Sequence, residues 1–351
     1  MKKEEKQTQP LQNLLFNLFS PPSLPPTLPS QLVTDAPRPS PKPNEVLVRV
    51  VAASINPIDF KLKRGDLGKF FTKTPSIPGA DVAGVVESSP AGSRFAKGAK
   101  VYGIKSATDP QGTLAEFVAV PESQLAPIPP SLSFEEAASL PLAGLTALQA
   151  LRSASVKAGD RVLVTAAAGG VGSLALQLAR GEFGCEQIVG TCGPKNLAFV
   201  KTELGASEAF DYSAPGKTLA NSFSSSSASG AFDVVVDMMG GATELDALKA
   251  TKNKKIGGRF ASVLNSGTSA KSVASGFLNS VLGKGPAYSV TILSVKDAGS
   301  KLEGVFNKLV EEKKLKPVVA KVRPLEEAAA AFAELEAGHS RGKQVLKIGE
   351  E

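Results

Sequence analysis

Hydrophobic residues alternate with polar or small residues along the Val-rich run at 45–50, and this period of two predicts a strand. Two more runs of the same kind lie at 81–87 and 112–120. Gly and Pro separate these runs, as they do between strands that are joined by turns. The stretch 44–130 is therefore predicted to be a small, mainly β domain.

The pattern changes after residue 130, where helical periodicity and short apolar runs take turns. Helices are predicted at 134–140, 142–151, 171–180 and 196–204, and buried strands at 161–165, 188–190, 232–237 and 260–264. Alternation of strand and helix indicates an α/β fold with a doubly wound parallel sheet, the Rossmann arrangement. This second domain is assigned to 131–286.

The two ends of the chain differ from this middle part. Residues 1–43 are crowded with proline, which breaks helices and central strands, so an extended and poorly ordered tail is predicted there. Amphipathic or Ala-rich helices are predicted at 301–314 and 325–337, followed by a closing strand at 344–348. The Ser-rich run 222–230 is predicted to be an exposed loop.

Few residues in this chain could bind a metal. The 351 residues include two cysteines, Cys185 and Cys192, and one histidine, His339. A disulfide framework and a four-cysteine zinc site are therefore excluded, and a catalytic zinc site built from Cys and His is not expected. A Ser-His-Asp triad would depend on His339 alone, in a Gly-rich stretch, which argues against one.

The formal net charge of +7 favours anionic partners such as phosphates, nucleic acid or an acidic lipid surface. Because charges of both signs are spread along the chain, we favour a solvated basic surface and a phosphate-rich cofactor. One local excess could touch a membrane or only face water, and it comprises Lys249, Lys252, Lys254, Lys255 and Arg259.

The strongest local signal is a strand, a Gly-rich turn and a helix at Val162–Gly172. Ala167, Gly169 and Gly172 occupy the three glycine places of the dinucleotide fingerprint. Gly169 would let the backbone approach a pyrophosphate at the helix N-terminus, and Gly172 would let the helix pack closely on the strand. The alternative is a tight turn without a ligand. We predict cofactor contacts from Ala168, Gly169, Gly170, Val171 and Gly172.

The end of the next predicted strand bears on the choice of cofactor. An NAD-binding protein places a carboxylate about 20 positions beyond the fingerprint, and the sequence has none there. Lys195 could meet a 2′-phosphate, although it could also be an ordinary solvated lysine. NADPH is therefore favoured, with contacts from Thr191, Cys192, Gly193, Lys195 and Asn196.

Several motifs together resemble one known family. They are Ser54–Lys61, which contains Asn56-Pro57-Ile58-Asp59-Phe60-Lys61, and the runs Pro78–Val86, Gly112–Phe117, Leu140–Ala147, Thr191–Lys201 and Gly338–Lys343. From about Pro41 to Ile348 the chain resembles the zinc-independent, quinone-oxidoreductase-like branch of the medium-chain dehydrogenase/reductase superfamily. The run Thr191–Lys201 is most similar to chloroplast envelope quinone oxidoreductase homologues and alkenal/oxoene reductases.

This resemblance implies a layout and a set of site residues. A GroES-like substrate domain (44–130 and 287–351) would be interrupted by the Rossmann domain. Asn56 and Lys61 would lie near the nicotinamide as catalytic residues, although Asn56 could simply form a turn before Pro57. Further cofactor contacts would come from Tyr212, Met239, Gly240, Leu264 and Lys343, although Tyr212 could be a core ring. One departure is that the Pro-rich tail stands where the family has its first strand and hairpin.

The implied reaction is hydride transfer from NADPH to a quinone or to the β-carbon of an α,β-unsaturated carbonyl. Asn56 or a backbone N–H would stabilise the developing enolate oxygen. The sequence identifies no proton donor, since the phenols are Tyr102, Tyr212 and Tyr288 and water could serve instead. The alternative is an NADPH-binding protein without turnover, such as a redox sensor or a nucleic-acid-binding protein.

The expected partner is a small quinone or enone, without nucleic acid, and the chain is expected to be a homodimer or a monomer. Peripheral association with a membrane is left open. The resemblance implies a plastid location, which could be at the envelope, with the cytoplasm as the alternative.

Overall fold

The computed structural model describes residues 15–17, 31–34, 36–64, 77–223, 231–252, 257–263, 270–338 and 340–351. Two short strands, β1 (Leu15–Asn17) and β2 (Gln31–Val33), pair antiparallel near the start. The strands of two larger sheets follow along the chain.

The first large sheet forms the outer domain. Its strands are β3 (Glu45–Ser54), β4 (Asp81–Ser88), β5 (Lys100–Ile104), β6 (Phe117–Pro121), β7 (Leu125–Pro127), β14 (Val319–Pro324) and β15 (Lys343–Lys347). They run in the order β14-β15-β3-β4-β5-β7, and β6 also pairs with β3. The last strand of the chain thus returns to the first strand of this domain.

The second large sheet is the parallel sheet expected from the alternating pattern. Its strands are β8 (Val162–Val164), β9 (Ile188–Cys192), β10 (Glu208–Asp211), β11 (Val234–Asp237), β12 (Arg259–Val263) and β13 (Ala287–Thr291). Their order is β10-β9-β8-β11-β12-β13, with every pair parallel. A doubly wound sheet of this order has a crevice at its carboxyl edge beside β8, where ligands bind.

The helices are α1 (Pro57–Arg64), α2 (Phe134–Ala138), α3 (Pro141–Ser153), α4 (Gly170–Gly181), α5 (Leu197–Thr202), α6 (Leu219–Phe223), α7 (Gly241–Ala250), α8 (Ala270–Val281), α9 (Ala298–Lys301), α10 (Lys308–Glu311) and α11 (Ala328–Ala337). A π-helical segment joins α9 to α10. No helix within the described ranges is both long and apolar enough to cross a bilayer.

The alternating residues of β3 lie where the sequence predicts them, because Val46, Val48 and Val50 are all buried in the outer-domain core. The predicted run 112–120 is too long. Its first half is not a strand, because the backbone N–H groups of Gly112 and Leu114 donate to the carbonyls of Ile77 and Pro78 instead of to a neighbouring strand.

Two short strands lie within the Pro-rich tail. β1 and β2 contain no proline, which would remove a backbone donor, and the disorder of the tail stays a prediction. Arg38 pairs with Glu87 at 2.9 Å and lies 4.0 Å from the Phe117 ring centroid, so the end of the tail packs on the outer domain. The poorly ordered tail that the sequence predicts falls mostly on residues 1–30, of which the structure describes only 15–17.

One domain boundary differs from the prediction. The sequence argument begins the return to the outer domain at residue 287, but β13 pairs with β12 from Ala287 to Thr291. A strand that hydrogen-bonds into the parallel sheet belongs to that sheet. We therefore propose that the return begins after Thr291.

Candidate functional site

The turn before α4 has the shape that a phosphate-binding turn needs. Gly169 caps the helix with extended backbone angles. A β-carbon at Gly169 would meet only the Ala166 oxygen, at 3.2 Å, whereas one at Gly172 would lie 2.2 Å from that oxygen. Gly172 is thus required for helix–strand packing. The protein leaves space beside Gly169, where a ligand could approach the helix N-terminus.

A pair of buried side chains fixes this turn from the neighbouring strand. Thr165 donates from Oγ1 to Asp237 Oδ1 at 2.7 Å and accepts from the Met238 N–H at 2.8 Å. The other Asp237 oxygen accepts from the Gly240 N–H at 2.7 Å. The carboxyl ends of β8 and β11 are thereby tied together, and Ala166 is held at a positive φ of 49°.

We call the crevice at the carboxyl edge of the parallel sheet the groove. Its far end, beyond β9, carries exposed cations. Lys195 lies in a single 3₁₀ turn, Pro194–Asn196. Arg341 arrives from the other end of the chain, where its Nε donates to Asn196 Oδ1 at 3.1 Å and its guanidinium lies 4.4 Å from the Phe199 ring centroid. Two exposed cations, Lys195 and Arg341, therefore lie close together at this end of the groove.

Thr191, Cys192, Gly193 and Tyr212 complete this end of the groove. Thr191 and Cys192 are buried, and burial raises the pKa of the Cys192 thiol to about 11, with Asp211 adding to the shift. Cys192 is thus a buried, protonated thiol, and its contact with a cofactor stays a prediction. Tyr212 is 50% exposed, and its hydroxyl lies 3.8 Å from the position of a β-carbon on Gly193, so it is not a core ring.

The near end of the groove is a buried polar network between the two domains. The Nζ of Lys343 donates to the Ile55 carbonyl at 3.0 Å and to Asn56 Oδ1, and it lies 3.5 Å from Asp81 Oδ2. The Asn56 amide donates to Asp81 Oδ2 at 2.8 Å. A β-carbon on Gly170 would lie 2.7 Å from Cδ of Lys343, so the lysine stem runs directly over the glycine turn.

This network changes the role expected of Asn56. Its side chain is only 1% exposed, its second amide hydrogen points to the Ser54 carbonyl at 3.5 Å, and its backbone N–H donates to Asp59 Oδ2 at 2.8 Å. With its donors directed at protein acceptors, Asn56 has none left for an enolate oxygen. It is not merely a turn residue either, because it joins Lys343 to Asp81.

Burial also shifts the pKa values of two groups in this region, Asp59 and Lys343. Desolvation raises the pKa of Asp59 to about 7, against the backbone hydrogen bond from Asn56, and the nearby Asp81 raises it further. Desolvation lowers the pKa of Lys343, while Asp81 and Asp59 oppose that shift. Two carboxyl groups and one lysine thus lie near one another, and all three are buried.

The remaining predicted residues fall in three groups. Met239 is 46% exposed at the carboxyl end of β11, and Gly240 follows it with a positive φ of 68° at the start of α7, so both border the groove. Lys61 is half-buried on α1, and its catalytic role stays a prediction. Leu264 and His339 lie outside the described residues.

None of the three phenols lies where it could donate a proton to a substrate beside Asn56. The hydroxyl of Tyr102 is fully buried and donates to Asn307 Oδ1 at 2.6 Å. That of Tyr288 donates to Glu244, and burial raises the pKa of both phenols. Tyr212 stands at the opposite end of the groove from Asn56.

Sequence reasoning missed Arg341, Asp81, Thr165 and Asp237. A basic residue in the Gly-rich closing run was a usable signal for Arg341. The others are ordinary polar residues at strand ends. Their side-chain hydrogen-bond partners are distant in the sequence, so only the folded structure reveals them.

Comparison with known families matches both domains. A model of the alcohol dehydrogenase GroES-like domain matches residues 42–130, and a model described as zinc-binding dehydrogenase matches residues 204–346. Despite that description, the described part of this chain contains no group of three or more His, Cys, Asp or Glu side chains that could hold a metal ion.

Individual relatives match over most of their length. A quinone-oxidoreductase homolog, chloroplastic, from Spinacia oleracea is 37% identical over 314 residues, covering 87% of this chain and 90% of that protein. An NADPH-dependent alkenal/one oxidoreductase, chloroplastic, from Arabidopsis thaliana is 34% identical over 312 residues, covering 86% and 72%. The solved quinone oxidoreductase of Coxiella burnetii has a TM-score of 0.79 and 32% identity, covering 96% and 100%.

Proposed function

Since the chain belongs to the quinone-oxidoreductase-like branch of the medium-chain dehydrogenase/reductase superfamily, we propose that it uses NADPH to reduce quinones or α,β-unsaturated carbonyls. The substrate class comes from the names of its relatives. The observation that supports the cofactor choice is the closeness of two exposed cations beyond β9, where an NAD-binding protein places a carboxylate. The Arg341 guanidinium donates there to the Lys195 backbone carbonyl at 3.5 Å and to Asn196 Oδ1 at 3.1 Å.

The residues present fit this cofactor. The space beside Gly169 admits a pyrophosphate at the start of α4, and Lys195 and Arg341 provide charge for a 2′-phosphate. Tyr212 and Met239 present exposed apolar surface along the same groove. Asn56 and Lys343 lie at the end of the groove where the nicotinamide half would be held.

When bound, NADPH would supply a hydride, and the protein contributes position and polarity. Lys343 holds the glycine turn and the Ile55–Asn56 backbone in fixed relation. No phenol is placed beside Asn56, since Tyr102 and Tyr288 donate to protein acceptors and Tyr212 is at the far end. We therefore propose that water protonates the enolate.

Steady-state kinetics tests the proposal. NADPH oxidation should accelerate with at least one substrate in a panel of enones and quinones, and NADH should serve less well. Binding of NADPH without turnover across the panel would favour the sensor or the nucleic-acid-binding protein. Equal use of NADH and NADPH would contradict the role of Lys195 and Arg341.

For the quaternary state we propose a homodimer, with the monomer as the alternative. β13 is an edge strand of the parallel sheet. Beside it, α8 and the residues after it expose large apolar side chains, namely Phe277, Leu278, Val281, Leu282 and Ile292. An open edge beside an apolar face suits a two-fold contact. Light scattering of the wild type and of Phe277→Lys would test this, and a monomeric wild type would contradict it.

For location we propose a plastid, because the relatives above are named chloroplastic. A membrane contact through the basic cluster has less support, since Lys252 pairs with Asp233 and Arg259 with Asp160, while Lys254 and Lys255 lie outside the described residues. Flotation with anionic vesicles at low and high salt tests that contact, because salt screens exposed charges.

A further inference from the structure

Asp81 stands at the point where the two domains meet, at the start of β4 and with no exposure to solvent. Its Oδ2 accepts from Ser54 Oγ at 2.6 Å and from the Asn56 amide at 2.8 Å, and it faces the Lys343 ammonium. This one oxygen thus contacts three side chains of the outer domain.

The other oxygen of Asp81 reaches into the Rossmann half of the molecule. Oδ1 accepts from the Leu142 N–H at 2.6 Å, in the first turn of α3. That helix has Leu140 at its N-cap, without a side-chain hydrogen bond of its own, so the carboxylate serves as a cap supplied by the other domain. α3 packs along α4, the helix that begins at the glycine turn.

A second connection leads from Asp81 to the same turn. Lys343 pairs with Asp81, and its stem passes over Gly170 at the first residue of α4. The carboxylate is therefore joined to α4 by two routes, one through α3 and one through Lys343. A carboxylate that served only in a buried ion pair would need Lys343 alone, whereas Asp81 also bonds to the start of α3.

We infer that Asp81 is a positioning residue, which fixes the outer domain over the glycine turn by holding Asn56, Lys343 and the start of α3 together. The inference rests on the proposed NADPH function. It predicts that Asp81 matters for the half of the cofactor beyond the pyrophosphate. The adenosine half, which Lys195 and Arg341 face, should not depend on it.

The test compares two ligands on the full-length chain. NADPH spans the whole groove, whereas adenosine 2′,5′-bisphosphate occupies only the adenosine end. For Asp81→Asn we expect the Kd of NADPH to rise about tenfold, because an uncompensated Lys343 and a displaced Asn56 disturb only the near end. The Kd of adenosine 2′,5′-bisphosphate should stay within about twofold of the wild-type value.

Asp160→Asn is the matched control, because Asp160 is also a buried carboxylate in an ion pair, with Arg259 at 2.6 Å, and lies in the Rossmann domain. It should lose thermal stability without changing either Kd. If Asp81→Asn does not fold, Asp81→Glu keeps the charge and shifts its position, and the same selective loss of NADPH affinity is expected.

Three outcomes are informative. A selective loss for NADPH supports the inference. Unchanged NADPH affinity in folded Asp81→Asn or Asp81→Glu, or equal losses for both ligands, would overturn it and leave Asp81 a structural ion pair. A wild-type chain that binds neither ligand would contradict the proposed function itself, which keeps the two failures distinct.

Discussion

The two ends of the groove hold their charged side chains in opposite ways. At the adenosine end, Lys195 and Arg341 are exposed to water and are positioned by one backbone turn and one aromatic ring. At the other end, Asn56, Asp81 and Lys343 are buried and bond mainly to one another. Exposed cations can select a phosphate at little cost in desolvation. Buried ones lose their hydration and are tolerated only as a complete network.

The difference lies in what each end can tolerate. A solvated lysine that loses its partner regains water, so changes at the adenosine end should affect affinity and spare the fold. A buried charge that loses its partner is left without compensation, so changes at the other end should affect stability as well. Substitutions at and between the two ends should separate these effects.

The largest effect is expected between the two ends, at Gly169. Gly169→Val should lower NADPH affinity by roughly 100-fold or more, because the side chain fills the space for the pyrophosphate at the helix N-terminus. The backbone angles there suit an L-residue, with φ at −79°. Cofactor titration beside circular dichroism measures both properties.

Gly172→Val is the matched control for that change. Its β-carbon would lie 2.2 Å from the Ala166 carbonyl oxygen, so this variant should lose the fold together with binding. A folded Gly169→Val protein with wild-type affinity would mean that the turn is only structural.

At the buried end, Asp59 should make stability depend on pH. Its pKa rises from 3.8 to about 7 on folding, so its contribution to stability is complete below pH 3.8 and is lost as the pH rises through 7. From pH 5 to pH 8 this loss is on the order of 3 kcal/mol at most. Urea unfolding should therefore show that the free energy of unfolding of the wild type falls relative to that of Asp59→Asn as the pH rises. Parallel pH profiles would show that Asp59 does not titrate in this range.

At the exposed end, Lys195→Ala and Arg341→Ala should each weaken NADPH binding by about tenfold, the scale of a charge-assisted contact to phosphate. NADH affinity and melting temperature should hardly change. Lys201→Ala, an exposed lysine on α5, is the matched control for general charge. If the three variants lose NADPH affinity equally, the effect belongs to net charge and not to a phosphate site.

The smallest effect is expected from metal removal. Among the residues that the structure describes, no group of His, Cys, Asp or Glu side chains could hold a metal ion, so chelator-treated protein should keep its activity. Stoichiometric zinc in elemental analysis of the pure protein would contradict this.

What the sequence determined by itself is local. The alternation of Val46, Val48 and Val50, the glycine turn before α4, and the missing carboxylate beyond β9 all follow from residues that are close together in the chain. Period, turn chemistry and helix N-termini act over a few residues, which is why these features could be predicted.

What only the tertiary structure decided joins residues that are far apart in sequence. Lys343 meets Ile55 across 288 positions, and Arg341 meets Asn196 across 145. The same holds for the capping of α3 by Asp81. No local period encodes such pairs, because they form only when the last strand returns to the first domain. Burial of Asn56 then follows from that closure, and so does its role as a link in the network instead of a donor to substrate.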